Sequence, residues 1–270
     1  MNEESLPVTG MWSVKSYKSI EYKNVGGRPL LLDLHVPPEA KGKIPLIFYI
    51  HGGGWCGGTK DDATNLAAFI NAGYAMSALD YRFSNEAIFP AQIEDIKAAL
   101  RWLRAHAGEF QLDPDRVGAW GHSAGGHLVA LLGVTGASRL FDVGDNLHVS
   151  SKVLGVGSVA GPIDLLGLAG NDILPTNLSD LFGGHPSTRK ELAQSANPIN
   201  HIDAETPPFV IIHGDKDDMV PCQQAELLHA ALKSKGIPSR LVIQEGIGHD
   251  NWKDPQMVGE LIQFFDGLLK

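Results

Sequence analysis

The sequence predicts an α/β fold, with a mostly parallel central sheet flanked by helices in a single domain. Two observations carry that expectation. Short apolar runs bounded by Gly and Pro alternate with longer segments whose apolar residues recur every three or four positions, with no repeat or low-complexity linker between them. In addition, Gly121-His122-Ser123-Ala124-Gly125 stands between an apolar run ending at Trp120 and an apolar segment over residues 128–134, which reads as strand, sharp turn and helix.

The elements follow in order. Residues 15–25 alternate weakly and residues 30–36 carry more apolar side chains, so they read as two antiparallel strands joined at Gly26-Gly27. Residues 45–50 are continuously apolar between Pro and Gly, as a strand buried on both faces should be. A helix is expected over 61–71, stopped near Gly73, and a strand over 74–81. Phe89-Pro90 begins a long helix, with Ile93, Ile96, Leu100 and Leu103 on one stripe. Asp113-Pro114-Asp115 reads as a turn into the strand before Ser123, and residues 153–159 as the next buried strand. From 161 to 204 polar residues, Gly and Pro interrupt short helices expected near 179–182 and 188–195, which suggests an insertion forming a partial lid or pocket wall. Strands at 209–212 and 240–244, and helices at 223–235 and 255–269, complete the pattern.

Bulk properties narrow the function. Lys and Arg number 22 against 31 Asp and Glu, a net charge of −9 with no basic run, so neither a nucleic acid nor an anionic membrane surface is an expected partner. No stretch approaches the roughly 20 apolar residues that cross a bilayer. The first ten residues lack a basic region followed by an apolar one, so a cytoplasmic protein is expected, or the mature form of an exported one. The only cysteines, Cys56 and Cys222, are too few for a disulfide framework or a zinc site, and free thiols are the default. No metal or cofactor is implied.

Ser123 is the candidate nucleophile. Glycines at 121 and 125 and the small Ala124 suit a turn too tight for bulky side chains, which would raise the serine hydroxyl above the sheet. A serine needs a base to take its proton. Of the 11 histidines, His249 lies on a loop just past a strand, at the correct edge of the sheet. His213 ends a strand and its ring is expected inside; His51 is expected to brace the glycine loop that follows it; His122 and His127 lie too close to Ser123 in sequence to fold back on it. The base needs a carboxylate, and His213-Gly214-Asp215-Lys216-Asp217-Asp218 offers three that spacing cannot separate, with Asp250 a poorer fourth. His51-Gly52-Gly53-Gly54, after a buried strand, supplies backbone N–H groups with no side chain in the way, and the N–H of Ala124 would join them around a developing oxyanion. Trp55 and His122 are expected to border the substrate pocket.

Together His51-Gly52-Gly53-Gly54-Trp55, Asp80-Tyr81-Arg82, Phe89-Pro90, Trp120-Gly121-His122-Ser123-Ala124-Gly125-Gly126 and His213-Gly214-Asp215-Lys216-Asp217 with Val220-Pro221 resemble the α/β-hydrolase fold, in particular the hormone-sensitive-lipase-like esterase group and small bacterial esterase/lipases. The resemblance runs from about Leu30 to the C-terminus. It implies an acid at the fifth position of His-Gly-x-x-Asp, hence Asp217, and oxyanion donors at Gly53, Gly54 and Ala124. Asp215 is then expected to brace the turn, and Asp218 to cap the helix after Pro221. Only 50 residues precede His51, and they read as strands, so no large helical cap of the kind some members carry is expected, and the pocket walls are expected from 161–204. The expected activity is a serine carboxylesterase acting on small acyl or aromatic esters through an acyl-enzyme. His-Gly-Gly-x-Trp also resembles arylformamidases, which keeps a serine amidase open, and a non-catalytic binding protein on the same scaffold is the rival from another class.

Overall fold

The computed structural model describes residues 3–7, 13–38, 42–63, 65–170, 175–250 and 254–270. Strands β1 (Glu3–Pro7), β2 (Ser13–Val25) and β3 (Arg28–Val36) open the chain as an antiparallel run. Gly26 and Gly27, at φ +60° and +90°, make the turn between β2 and β3, a backbone geometry that favours glycine. Strands β4 (Ile44–Ile50), β5 (Ala75–Leu79), β6 (Leu112–His122), β7 (Gly155–Val159), β8 (Phe209–Gly214) and β9 (Ser239–Gln244) pair in parallel, and β5 joins β3 antiparallel. Among the described residues these make one nine-stranded sheet in the order β1-β2-β3-β5-β4-β6-β7-β8-β9. The chain leaves β4 toward β5 on one side and reaches β6 on the other. The loops after β4 and β6 therefore part at the C-terminal edge of the sheet, where α/β folds open a crevice.

Helices cover both faces. All seven residues of β4 are buried. Leu46, Phe48 and Ile50 point into one core with α2 (Ala91–Ala105), α3 (Ala124–Thr135) and α6 (Gln223–Ser234). Ile47 and Tyr49 point into the other, with Phe69 of α1 (Leu66–Asn71) and Met257, Leu261 and Phe265 of α7 (Pro255–Leu269). Every residue of α3 is buried, because the insertion packs over the side that α2 leaves open. That insertion carries α4 (Pro175–Phe182) and α5 (Lys190–Ala196), with Leu178, Leu181, Phe182, Ala193 and Ala196 all buried. It is tied to the start of α2 by a hydrogen bond from Phe89 N–H to the Leu181 carbonyl at 2.8 Å. Residues 171–174 lie outside the described ones.

Three local expectations change. The helix expected over 61–71 is a single 3₁₀ turn at Lys60–Asp62 followed by α1. Tertiary bonds prevent a continuous helix: Lys60 N–H donates to Asp80 Oδ1 at 2.8 Å, its ammonium pairs with Asp33 at 3.2 Å, and Thr59 with Asp62 forms a capping box. The turn expected at 113–115 lies inside β6. There the pairing with β4 jumps from Ile44–Leu112 to Leu46–Val117, and Asp113 Oδ1 accepts from Asp115 N–H. Strand β1 has no counterpart in the sequence reading, since it is short and pairs only with β2 at the sheet edge. Among the described residues no helix is long and apolar enough to cross a membrane.

Candidate active site

Ser123 stands between β6 and α3 with φ +57° and ψ −123°, a backbone geometry that a non-glycine residue adopts only under constraint. The constraint is close packing. A Cβ on Gly121 would lie 2.5 Å from the Gly125 carbonyl oxygen and 2.7 Å from that of Ile50. A Cβ on Gly125 would run into the Ile50 oxygen and sit 2.7 Å from that of His51. Ser123 N–H is held by the Val159 carbonyl at 2.9 Å, and its own carbonyl accepts the first helical bond from His127 at 3.1 Å. The hydroxyl faces the cleft at the N-terminus of α3, whose aligned N–H groups favour negative charge.

His249 comes from the loop after β9. Its Nε2 lies 3.0 Å from Ser123 Oγ and its Nδ1 lies 2.7 Å from Asp217 Oδ2. Asp217, on the loop after β8, has a fully buried carboxylate. Its Oδ1 accepts N–H groups from Met219 at 2.9 Å and Val220 at 2.8 Å. Burial alone would raise its pKa, but hydrogen bonds from His213, His249 and the Val220 N–H outweigh burial and hold it well below the usual carboxylate range. His213 is inside, as expected, yet it also touches the site: its Nε2 lies 3.1 Å from Asp217 Oδ2 and 2.9 Å from the Val220 carbonyl. Bonding to a carbonyl requires that nitrogen to carry the proton, so His213 donates to both oxygens. Asp215 braces the turn, accepting Gly246 N–H at 2.6 Å. Asp218 does not cap α6, whose N-cap is Cys222 with no side-chain cap bond.

The glycine loop after β4 forms one wall. Gly53 and Gly54 have φ +100° and +59° and line the cleft. Among the described residues neither their N–H groups nor that of Ala124 has a backbone acceptor. His51 fixes this loop from beneath, donating from Nδ1 to the Gly52 carbonyl at 2.8 Å while its ring stacks on Tyr81 at 4.4 Å. Trp55 departs from expectation. It is 1% exposed and does not border the cleft; its indole N–H donates to His127 Nδ1 at 3.3 Å, and His127 Nε2 donates to the Ala196 carbonyl at 2.8 Å. Trp55 thus ties the glycine loop to α3 and α5, and burial lowers the His127 pKa to about 4. His122 does line the cleft, as do residues the sequence did not single out, among them Tyr49, Asp62 and Asn177. Asn177 reaches over from α4 so closely that a Cβ on Gly54 would strike its amide. No local pattern marks Asn177; only the path of the insertion brings it there. The cleft holds about 440 Å³, with Met219 and Val220 on the side of His249. Among the described residues no group of three His, Cys, Asp or Glu side chains converges as a metal site.

Beside the glycine loop, a hydroxyl, an imidazole and a buried carboxylate stand in one hydrogen-bonded line, and the family model that matches this chain, over residues 32–232, is BD-FAE. The chain belongs to the BD-FAE family. Within that family setting, the curated relative named "Probable carboxylic ester hydrolase LipM", from Mycobacterium tuberculosis, is 32% identical over 206 residues, covering 74% of this chain and 48% of its own. Esterase LipQ of the same organism is 30% identical over 217 residues, 78% of this chain and 51% of its own. The chain spans about half the length of the curated relatives it matches. Among solved structures, a truncated form of a carbohydrate esterase from gut microbiota is similar over 98% of this chain and 99% of its own, at 30% identity and a TM-score of 0.87. Butyrate-bound esterase Est2 of Thermogutta terrifontis is 26% identical over 93% of this BD-FAE chain and 92% of its own, at a TM-score of 0.75. The fold is that of α/β-hydrolase esterases, in agreement with the resemblance drawn from the sequence.

Proposed function

We propose that this BD-FAE chain is a serine carboxylesterase. The single observation behind the proposal is the continuous line Ser123 Oγ, His249 Nε2, His249 Nδ1 and Asp217 Oδ2, at 3.0 and 2.7 Å, in the wall of the cleft. Ser123 Oγ attacks the ester carbonyl carbon and its proton passes to His249 Nε2. The carbonyl oxygen becomes an oxyanion facing the N–H groups of Gly53, Gly54 and Ala124, each such donor being worth about 10² to 10³ in rate. Collapse expels the alcohol, which takes the proton from His249 and leaves an acyl-serine. Water then gives its proton to His249, attacks the acyl carbon and releases the acid, with the proton returning to Ser123. Asp217, kept ionised by His213 and the Met219 and Val220 N–H groups, holds His249 Nδ1–H and balances the imidazolium.

Small acyl groups suit this site. The cleft is about 440 Å³, and the described insertion contributes Asn177 to its lining instead of a broad apolar cap. The relatives are carboxylic ester hydrolases by name, and Est2 has been captured with butyrate, with propionate and phosphorylated by paraoxon. Turnover of 4-nitrophenyl acetate and butyrate, with Ser123 labelled by a fluorophosphonate, is expected, and kcat/KM should fall for the octanoate. A protein that labels at Ser123 and does not hydrolyse these esters, but releases formate from an N-formyl arylamide, would move the assignment to a serine amidase. An octanoyl ester turned over as well as the acetyl would reject the short-acyl reading alone.

A further inference from the structure

His122 immediately precedes the nucleophile, yet its ring is turned toward the base. Only 7% of the residue is exposed. Its Nε2 lies 2.7 Å from the backbone carbonyl oxygen of His249, and the two imidazole rings pack 4.8 Å apart at 51°. A carbonyl can only accept, so the proton sits on His122 Nε2 and His122 donates. Elsewhere the base loop is pinned at its start, by Asp215 on Gly246 N–H at 2.6 Å and by Lys216 N–H on the Ile247 carbonyl at 2.9 Å. Those two contacts fix the loop's departure from β9 but leave the Cα of His249 two residues further on. The bond from His122 acts on His249 itself, and it originates one residue from Ser123.

We propose that His122 is a positioning residue: through its Nε2–H bond to the His249 carbonyl it sets the distance between the base and the nucleophile. The inference rests on the serine-esterase reading. Since Ser123 is fixed by the packing of β6 against α3, a tether rooted at position 122 carries that rigidity across the cleft. Burial, and then the neighbouring His249, hold the His122 pKa down at about 3, so the tether stays a neutral ring and adds no positive charge beside the imidazolium formed during turnover.

Three variants separate this role from that of a plain pocket wall. Leu in place of His122 keeps apolar bulk and removes the donor. Gln carries an amide N–H to about the reach of Nε2, whereas Asn stops at about the reach of Nδ1. Steady-state kinetics on 4-nitrophenyl acetate and fluorophosphonate labelling rates would be measured on folded protein, with Ser123→Ala alongside. Expected for His122→Leu is a fall in kcat of roughly 10²-fold, as for an ångström-scale misplacement, with KM within about threefold of the parent. His122→Gln should recover most of kcat and His122→Asn little of it, and labelling rates should follow the same order. Should the Leu variant not fold, the Gln and Asn pair carries the test by itself. A rise in KM at constant kcat would make His122 a wall of the substrate pocket and overturn the proposal, as would equal rates in the Gln and Asn variants. Activity surviving in Ser123→Ala would instead overturn the serine reading on which the inference stands.

Discussion

The two sides of the cleft are held by different forces. On the side of the proposed nucleophile, Ser123 is gripped by backbone packing: Gly121 and Gly125 lie against the carbonyls of Ile50 and His51, and α3 begins at once. Those contacts are local to β4, β6 and the turn, and they tolerate no added atom. On the base's side, Asp217 and His249 sit on loops after β8 and β9, and side-chain hydrogen bonds orient them: His213 and Val220 on Asp217, Asp217 and His122 on His249. The lesson is that the packing which holds Ser123 should fail by losing the fold, and the bonds which orient Asp217 and His249 by losing the chemistry. The proposed roles divide the expected effects of mutation in the same way.

The largest effect is expected from Ser123→Ala. The proposed triad acts as a unit, so kcat on 4-nitrophenyl acetate should drop by about 10⁴ or more while the melting temperature stays near the parent value. Next comes Asp217→Asn, expected to cut kcat by about 10⁴, because the amide would favour the wrong tautomer of His249. Circular dichroism should show the fold retained; a loss of folded protein instead would mean that the base's side is structural as well. Gly125→Ala attacks the other side. Its methyl would meet backbone oxygens that cannot swing away, so a fall in melting temperature of roughly 10 °C or more, or no soluble protein, is expected. A stable, active Gly125→Ala protein would erase the contrast between the two sides.

Smaller effects sharpen it. The Asp217 pKa is depressed in the folded protein by its hydrogen bonds from His213, His249 and Val220, so its contribution to stability is present above its unfolded pKa of about 4 and is lost as the pH falls toward the folded value. Denaturant melts of the parent should therefore lose stability below about pH 4 more steeply than those of Asp217→Asn. A parallel fall in both proteins would place the acid sensitivity at another carboxylate. Asp215→Asn should cost less than about tenfold in kcat and lower the melting temperature by a few degrees, through the weakened bond to Gly246 N–H. Asp218→Asn, with no helix cap to lose, should be the smallest change of all, within about 0.5 kcal/mol in stability.

The sequence made legible whatever depended on neighbours along the chain. The sheet-and-helix alternation follows from burial on two faces, and the turn at Ser123 follows from the sterics of Gly121 and Gly125. The glycine loop was readable because a loop following a buried strand reaches the edge where ligands bind. Three nearby aspartates were not separable by spacing, and the resemblance was needed to select Asp217. Trp55 misled, because an aromatic residue in a binding-loop motif reads the same whether its indole faces substrate or core.

What the sequence by itself determined, then, is the α/β layering, the tight turn at Ser123 and the short set from which the proposed acid and base are drawn. Tertiary structure decided the rest. It turned Trp55 inward onto His127, brought Asn177 across from the insertion, and aimed Asp217, rather than Asp215 or Asp218, at His249. It also put His213 beneath Asp217 and swung His122 onto the His249 carbonyl. The physical reason is reach. Steric limits in a tight turn act over a few residues and leave their mark in residue type, whereas a hydrogen bond between residues 126 or 127 positions apart exists only once strand order and register bring the ends of β6, β8 and β9 to one edge of the sheet, with β7 between β6 and β8.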